Sequence, residues 1–440
     1  MITGISPTRH GRAMERMTYD EAIEYIHGVS SAFCKPGLER IDELCRALGN
    51  PQDDLKFIHV GGTNGKGSVC SMLSSVLMAS GLKVGLYTSP YIVEFGERIR
   101  INGENIPKET LISIVEEIKP IAEAMTDKPT EFELITAIAF LYYKREAVDV
   151  VVLEVGLGGR LDSTNIIRTP LTSVVTGISL DHTAILGDTI EAIAYEKAGI
   201  IKHGSHVISG CRDDKANAVI SSVASECDAE FIGVDYSLLS VKESTLDGTV
   251  FDYKSYKDMK IKLLGSYQPR NASIVLECVD LLREIGYEIT DGAVREGLLL
   301  ARWRARFEVI SDEPRVIFDG AHNPEGIEAA TESIKAFLAG ERVYLLSGVL
   351  RDKDYMQIAK TVSEVVTRAY TITPLNPRAL TAEEYSEALR GFGIEAITIG
   401  EIEPAVKRAL RDAKADGATL VCLGSLYTYG DVIKYINEGE

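Results

Sequence analysis

Apolar and polar positions follow one another along this chain in two regular ways, which together predict a mixed α/β fold. Short apolar runs that end in glycine or polar turns predict strands in "LKFIHVGG", "KVGLYTSP", "VDVVVLEVG" and "LTSVVTGI". Longer segments with helical spacing and capping residues predict helices in "PGLERIDELCRALGN", "SVCSMLSSVLMASG" and "FELITAIAFLYYKRE". Strands that alternate with helices are typical of a mostly parallel sheet with helices on both faces.

The pattern changes near residue 230 and again near Arg306. From about 230 to 265 polar and apolar residues alternate between turn signals, which predicts small antiparallel strands. A second series of strands, mostly followed by helices, is predicted in "RVIFDG", "ERVYLLSG", "RAYTITPL", "IEAITIG" and "TLVCLG". We therefore predict two α/β domains, residues 1–298 and 299–440.

Composition narrows the class of partner. The 440 residues carry a formal net charge of -18, so nucleic acids and anionic membranes, which are polyanions, are not expected as partners. Seven scattered cysteines without a C-x-x-C pair argue against a disulfide framework or a zinc cluster. Neither a signal-like segment nor an apolar run long enough to span a membrane is present, so a cytoplasmic location is expected.

A modified phosphate-binding loop follows the first predicted strand. The usual pattern is G-x-x-x-x-G-K-[ST], but here Val60 holds the first glycine position and Gly67 follows Lys66. The hydroxyl arrives one residue late, at Ser68. Because a strand precedes the loop and a helix follows it, its backbone N–H groups and the lysine suit the phosphates of ATP. The predicted ATP-binding residues here are Thr63, Asn64, Gly65, Lys66, Gly67 and Ser68; a glycine-rich turn without a ligand is the alternative.

Three polar residues follow other strands at the same predicted sheet edge. Glu154 closes a buried strand, where a carboxylate beside a phosphate loop normally holds Mg²⁺. It could instead be a structural acid satisfied by the adjoining "GLGGR" turn. Ser89 offers a hydroxyl after "KVGLYT", and His182 in "SLDHT" could be either a ligand or an ordinary hydrogen-bonded loop residue.

The remaining candidates lie in the middle and second half of the chain. Lys197 in "YEKAGI" has, by residue type alone, the pattern of a solvated surface lysine. Asp319 and His322 lie in "DGAHNPEG", where an acid at a strand end can bind a nucleotide or cap the turn. Arg304 and Arg306 lie on the predicted interdomain linker, from which a cation can reach phosphates bound by the other domain.

Taken together, these motifs resemble those of the folylpolyglutamate synthase/dihydrofolate synthase family within the Mur ligase superfamily. The matching segments span almost the whole chain and include "PGLERI", "GTNGKGS", "YTSP", "EFELITAIAF", "EVGLGGRLDSTN", "EKAGI" and "DGAHNP". The linker departs from the family pattern, because Trp303-Arg304-Ala305-Arg306 stands where the family usually has Trp-Pro-Gly-Arg.

The resemblance implies an activity and an architecture. It implies an ATP-dependent ligase that activates the carboxylate of a folate or dihydropteroate as an acyl phosphate and joins it to L-glutamate. It also implies an N-terminal P-loop ATPase-like domain with a mostly parallel sheet plus a small antiparallel sheet, and a C-terminal Rossmann-like α/β ligase domain. Two Mg²⁺ ions, a carbamylated Lys197 and a monomeric enzyme are further expectations.

Residue roles are likewise carried over from the resemblance. Ser89 and Glu154 are expected to bind one Mg²⁺, and His182 is expected to bind a second. The residues expected to be catalytic are Lys66, Lys197, His182 and Glu154. Asn271, Arg306 and Asp319 are expected to contact ATP, and the segment Lys35 to Leu38 to help close the pterin pocket. The substrate-binding residues are expected to be Thr130, Glu131, Phe132, Glu133, Leu161, Asp162, Ser163 and His322.

Four alternatives remain open at this point. A glutamate ligase of the same superfamily could act on another pterin or coenzyme, and a peptidoglycan ligase of the Mur type is related to it. A P-loop ATPase or kinase would turn over ATP without forming an amide, and a binding module would have no activity. The motifs do not distinguish synthesis of dihydrofolate from extension of a folate chain.

Overall fold

An eight-stranded sheet forms the core of the first half of the protein. The computed structural model describes residues 16–29 and 36–437. The strand order is β4-β3-β2-β5-β1-β6-β7-β8, parallel from β2 to β8, with β3 and β4 added antiparallel at one edge. The strands are β1 (Phe57–Gly61), β2 (Val84–Tyr87), β3 (Ile99–Ile101), β4 (Glu104–Asn105), β5 (Val150–Glu154), β6 (Thr172–Val175), β7 (His206–Ser209) and β8 (Glu230–Gly233).

Helices cover both faces of this sheet, which explains the uninterrupted apolar runs of its central strands. In β5, Val150 and Val152 pack into the core on one face, whereas Val151 and Leu153 pack into the core on the other. Burying each such side chain stabilises the fold by about 1.5 to 3 kcal/mol. The helices in this part are α1 (Tyr19–Gly28), α2 (Glu39–Ala47), α3 (Lys66–Ala79), α4 (Lys108–Ala124), α5 (Glu131–Arg145), α6 (Thr183–Leu186), α7 (Ile190–Ala198) and α8 (Asp214–Glu226).

A small antiparallel sheet and two helices follow. The sheet has the order β11-β10-β9, and the strands are β9 (Leu239–Thr245), β10 (Gly248–Tyr253) and β11 (Tyr256–Ile261). The helices are α9 (Gln268–Glu284) and α10 (Asp291–Leu300). Antiparallel strands were predicted from about residue 230. The prediction is confirmed from residue 239 onward, but β8 at 230–233 is instead a parallel edge strand of the large sheet.

The second half contains a six-stranded sheet in the order β12-β13-β17-β14-β15-β16, parallel except where β12 pairs with β13. The strands are β12 (Glu308–Asp312), β13 (Arg315–Phe318), β14 (Val343–Ser347), β15 (Arg368–Ile372), β16 (Glu395–Gly400) and β17 (Thr419–Leu423). The helices are α11 (Pro324–Phe337), α12 (Tyr355–Val362), α13 (Ala382–Gly391), α14 (Ile402–Asp416) and α15 (Tyr429–Asn437).

The predicted fold class is therefore confirmed. The division between residues 298 and 299 falls in the last turn of α10 and stays a prediction. The segment that joins the two sheets runs from Ala301 to Phe307, and both Ala305 (φ +56°) and Phe307 (φ +45°) occupy the left-handed region. In the part of the chain that the structure describes, no helix combines the length and apolar character needed to cross a bilayer.

One turn in this fold provides a test of backbone strain. Ala147 follows α5 with φ +49°, is exposed, and lies between hydrogen bonds from Ala147 N to Lys144 O and from Val148 N to Tyr143 O. Glycine tolerates this conformation, whereas an L-residue is strained there. Ala147→Gly should raise the free energy of unfolding by about 1 kcal/mol, measured by urea denaturation.

The matched control is an exposed alanine inside a helix. Ala218 lies in the middle of α8 and is exposed. Ala218→Gly should lower the free energy of unfolding by about 1 kcal/mol, because glycine is a poor helix former. Equal destabilisation by both substitutions would contradict the assignment of strain to Ala147.

Candidate active site

A single cavity collects most of the residues singled out in the sequence. It has a volume of about 610 Å³, within the range of small-molecule sites, and is lined by residues from both halves of the chain. Loops after the parallel strands β1, β2, β5 and β6 meet there because the carboxyl ends of parallel strands share one edge. The predicted residues that line it are Thr63, Asn64, Gly65, Lys66, Gly67, Ser68, Ser89, Glu154, His182, Lys197, Asn271, Arg306, Asp319 and His322.

The phosphate loop is braced by its neighbours. Gly65 (φ +87°) precedes α3, and a Cβ there would lie 2.8 Å from Asn271 Oδ1, so only glycine fits. The hydroxyl of Thr63 accepts a hydrogen bond from Ser179 N at 3.1 Å, which joins the loop to the segment after β6. Lys66 is the first residue of α3, so the loop delivers free N–H groups at a helix N-terminus.

The displaced hydroxyl has a partner inside the protein. Ser68 is 1% exposed, and its Oγ accepts a hydrogen bond from Gln268 Nε2 at 3.3 Å. At the position before it, Gly67 lies directly against the ring of Trp303. The loop therefore differs from the usual pattern in its packing as well as in its sequence.

Two lysines converge on one backbone oxygen. Lys66 Nζ donates to the carbonyl oxygens of Gly62 and Thr63, each at 3.1 Å, and Lys197 Nζ donates to the same Gly62 oxygen at 2.8 Å. Lys197 is 4% exposed, which excludes the surface-lysine alternative. Burial, reinforced by the positive charge of Lys66, lowers the pKa of Lys197 to about 7.

Glu154 and Ser89 form the candidate metal centre. Glu154 is 3% exposed, and its Oε2 accepts a hydrogen bond from Ser89 N at 3.0 Å. Burial raises the pKa of this carboxyl group, although Lys66 opposes the shift. The "GLGGR" turn does not satisfy Glu154 as the structural alternative supposed; in that turn, Leu157 N donates to Asp162 instead.

The oxygen donors of Glu154 and Ser89 suit a magnesium ion that takes its other ligands from outside the protein. A carboxylate and a hydroxyl are hard oxygen ligands, and Mg²⁺ usually takes its remaining ligands from phosphates and water. Residues 16–29 and 36–437 contain no cluster of three or more His, Cys, Asp or Glu side chains suited to a metal. His182 also lines the cavity, in the left-handed region (φ +50°), and burial lowers its pKa.

The second half contributes a rigid turn. Asp319 is 3% exposed, and its carboxylate accepts hydrogen bonds from Tyr267 Oη (2.8 Å), Phe307 N (2.9 Å) and Ala321 N (2.8 Å). Asp319 therefore fixes the turn that ends β13 as well as lining the cavity. In the same turn, His322 Nδ1 lies 2.8 Å from Gly320 O.

Further polar contacts join the two halves across the cavity. Lys353 Nζ lies 2.8 Å from Asp181 Oδ1, and Asn323 Nδ2 donates to Asp181 Oδ2 at 3.0 Å. Asn64 Nδ2 donates to Glu325 Oε2 at 2.5 Å. Burial alone would raise the pKa of Asp181, but the hydrogen bonds from Lys353 and Asn323 outweigh it, so the pKa is lowered.

Sequence reasoning missed several of these residues. Asp181 was not recognised as a site residue, although it directly precedes His182. The one feature that could have indicated Lys353 is its place in "RDKD", after the end of a predicted strand. Arg212 and Arg270 line the cavity as well, with Arg270 inside the Gln268–Asn271 segment. Arg304 does not line the cavity; it is 59% exposed and lies 3.7 Å from Glu97.

The residues expected to bind the pterin lie beside the cavity and not on its wall. Thr130 caps α5, and Glu133 Oε2 accepts hydrogen bonds from Thr130 N (2.6 Å) and Arg40 Nε (3.0 Å). Glu131 lies 2.9 Å from His27. The carboxylates of both glutamates are thus engaged within the N-terminal half.

Gly156 lines the cavity and also lies against the residues expected to bind the pterin. A Cβ at Gly156 would lie 2.5 Å from the Phe132 ring and 3.1 Å from Asp162 Oδ2. Ser163 is buried, and Leu161 is 38% exposed. Lys35 lies outside the described residues, and Leu38 borders a separate surface groove.

Comparison with known proteins places the two halves in one enzyme family. The Mur ligase middle domain matches residues 60–279, and the Mur ligase glutamate ligase domain matches residues 305–426. The chain is 38% identical to a folylpolyglutamate synthase of Lacticaseibacillus casei, over 96% of this chain and 100% of that protein. It is 37% identical to a dihydrofolate synthase/folylpolyglutamate synthase of Bacillus subtilis, over 94% of this chain and 98% of that protein.

A solved structure shows the same arrangement at full length. E. coli FolC in complex with DHPP and ADP superposes with a TM-score of 0.85 at 33% identity, covering 96% of this chain and 98% of that chain. At this identity and coverage the likeness extends to the whole two-part architecture. The chain therefore belongs to the folylpolyglutamate synthase/dihydrofolate synthase family of Mur ligases.

Proposed function

We propose that this protein is an ATP-dependent ligase that joins L-glutamate to the carboxylate of a folate or a dihydropteroate. The observation that carries the proposal is the cavity, which unites the phosphate loop of the middle domain with the Asp319 turn of the glutamate ligase domain. The folylpolyglutamate synthase and dihydrofolate synthase relatives, and the structure of E. coli FolC in complex with DHPP and ADP, support the substrate class.

The first step is phosphoryl transfer. The acceptor carboxylate attacks the γ-phosphorus of ATP, the bond to the β-phosphate oxygen breaks, and an acyl phosphate and ADP result. Lys66 and the N–H groups at the start of α3 hold the phosphates, and Arg306 adds positive charge from the linker. Asn271 and Asp319 are proposed to position the nucleotide.

Magnesium, when bound, supplies positive charge to the transferring phosphoryl group. We assign Glu154 and Ser89 to one ion and His182 to a second, because all three line the same cavity as Lys66. The low pKa of His182 suits a ligand role, since a neutral ring nitrogen is required.

Lys197 is proposed to carry a carbamate. The ammonium group first loses one proton. The neutral amine then attacks CO₂, a nitrogen–carbon bond forms as one carbon–oxygen π bond breaks, and a second proton leaves the nitrogen, so a cation becomes an anion. A pKa of about 7 keeps a large neutral fraction available at physiological pH. The change also removes the repulsion between Lys66 and Lys197 beside Gly62.

The second step forms the amide. The amine of L-glutamate attacks the acyl carbon, and phosphate leaves from the tetrahedral intermediate. Water would destroy the acyl phosphate, so both halves must enclose it; the Asp181–Lys353 and Asn64–Glu325 contacts already join them. His322, which directly precedes the N-cap of α11, is proposed to contact substrate, and residues 130–133 and 161–163 to contact the pterin.

The proposal covers two reactions of this class. Relatives include folylpolyglutamate synthases and a dihydrofolate synthase/folylpolyglutamate synthase, so it includes both addition of the first glutamate and extension of the chain. A glutamate ligase for another pterin or coenzyme is the second candidate. The monomeric state and the cytoplasmic location stay predictions.

An activity assay tests the proposal directly. Protein supplied with ATP, Mg²⁺, L-glutamate and either dihydropteroate or tetrahydrofolate should yield a product heavier by one glutamate residue, detected by mass spectrometry. A tetrahydromethanopterin-like acceptor tests the second candidate. ADP release that no acceptor or glutamate changes would show an ATPase and refute the ligase.

Lys66→Ala should lower kcat by about a hundredfold to a thousandfold, because a positioned charge that stabilises the transition state is lost. Lys83→Ala is the matched control. Lys83 lies outside the cavity and pairs with Glu146 at 3.0 Å, so its loss should change kcat by less than about twofold. Near-normal turnover of Lys66→Ala would remove this residue from the mechanism.

Lys197→Ala should abolish most activity, and a short carboxylate in solution should restore part of it by replacing the carbamate. With ¹³C-bicarbonate, the wild type should show a carbamate signal by NMR. At constant dissolved CO₂ this signal should grow as the pH rises through about 7, because only the neutral amine reacts.

Lys202 provides the control for carbamylation. Burial lowers its pKa to about 8, yet it lies outside the cavity. The signal should persist in Lys202→Ala and disappear in Lys197→Ala. A signal that survives in Lys197→Ala, or full activity of that variant, would exclude the carbamate.

A further inference from the structure

The tryptophan of the linker touches the phosphate loop. Trp303 is the single tryptophan of the chain, and it packs against the core around α3. A Cβ added to Gly67 would lie 2.6 Å from Cζ2 and 2.7 Å from both Cε2 and Nε1 of the indole ring. These distances are too short for real contacts, so the indole occupies the space that a side chain at 67 would need.

The backbone does not explain the glycine. Gly67 lies in the first turn of α3, and its φ is outside the left-handed region. Alanine would be the better helix former at such a position. The nearest obstacles to a side chain are all atoms of Trp303, so the ring, and not the chain conformation, accounts for the missing Cβ.

The linker is held to α3 on the same side. Ser71 Oγ donates to Arg302 O at 2.7 Å, and Arg100 lies 5.8 Å above the ring of Trp303. At its other end the linker reaches the Asp319 turn, where Phe307 N donates to Asp319 Oδ2 at 2.9 Å. One short segment thus contacts the phosphate loop and the second half of the protein.

We propose that Trp303 is a positioning residue that holds the phosphate loop in register with the interdomain linker. Its indole packs against Gly67, next to Lys66. The nucleotide-binding conformation of the loop therefore depends on the position of the linker. The proposal rests on the nucleotide-binding part of the proposed function. It also explains why the residue after Lys66 carries no hydroxyl: the ring excludes a side chain there, and the first hydroxyl appears at Ser68.

Intrinsic fluorescence gives the first test. Because Trp303 is the single tryptophan, ADP titrated into the wild-type protein should change its emission. The change should be half complete at a free ADP concentration equal to the Kd that calorimetry measures. Trp303→Phe should lose the signal and still bind ADP. Unchanged tryptophan emission at ADP concentrations that calorimetry shows to be saturating would overturn the proposal; absence of ADP binding to the wild type would instead overturn the proposed function.

A double-mutant cycle gives the second test. Gly67→Ala should weaken ADP binding by about tenfold to a hundredfold, because the loop must move from the ring. In the Trp303→Ala background the same substitution should weaken binding by less than about threefold, since the obstacle is gone. Equal effects of Gly67→Ala in both backgrounds would refute the contact as the cause.

Two further variants separate positioning from folding. Trp303→Phe keeps a ring and should bind ADP more tightly than Trp303→Ala, whereas thermal unfolding of both should remain a single transition close to that of the wild type. Arg302→Ala is the linker control. That side chain is exposed and bonds only carbonyls at the end of α10, namely Leu299 O and Ala301 O, so ADP affinity should stay within about twofold. A tenfold loss in this control would assign the effect to the linker at large and contradict a specific role of Trp303.

Discussion

The carbonyl oxygen of Gly62 accepts hydrogen bonds from two lysine side chains, and much of the site follows from this arrangement. Two ammonium groups cannot both stay charged in a buried place without repulsion. Lys197 is the more buried of the two, and its pKa is lowered by burial and by the charge of Lys66. An anion that enters the cavity would relieve this repulsion. The phosphate oxygens proposed to bind near Lys66 and the carbamate proposed on Lys197 would both supply negative charge there.

The two halves share polar groups that neither could bury alone. Asp181 and Lys353 are each 11% exposed, and Asn323 supplies a further hydrogen bond to Asp181. Removing one partner of such a buried pair leaves an uncompensated charge, whereas the intact set fixes how the halves meet. His182 follows Asp181 directly, so the contact that joins the halves also sets the place of a proposed metal ligand. The residue that joins the halves and the residue proposed to bind metal are therefore neighbours in the chain.

Local features of the fold could be predicted from the sequence, and long-range features could not. Central strands such as β5 were identified because both of their faces are buried, which leaves a continuous apolar run. The phosphate loop and Glu154 were found because parallel strands bring their carboxyl ends together. The β3–β4 hairpin and α4 were not predicted, and neither was Lys353 as the partner of Asp181, 172 positions away. Such pairings depend on the orientation of whole domains, for which no periodic pattern exists.

The linker differs from the family pattern in which of its residues can rotate freely about φ. Ala305 lies in the left-handed region at φ +56°. Its Cβ allows only a narrow range of φ and ψ there, whereas glycine at this position would be less restricted. Arginine at 304, in the place of the proline of the family pattern, has a φ angle that no ring restrains. In the family pattern the freely rotating residue is the glycine at the position of 305, whereas in this chain it is Arg304. Position 304 is therefore the one with the greater torsional freedom, and it lies immediately beside the ring that contacts the phosphate loop.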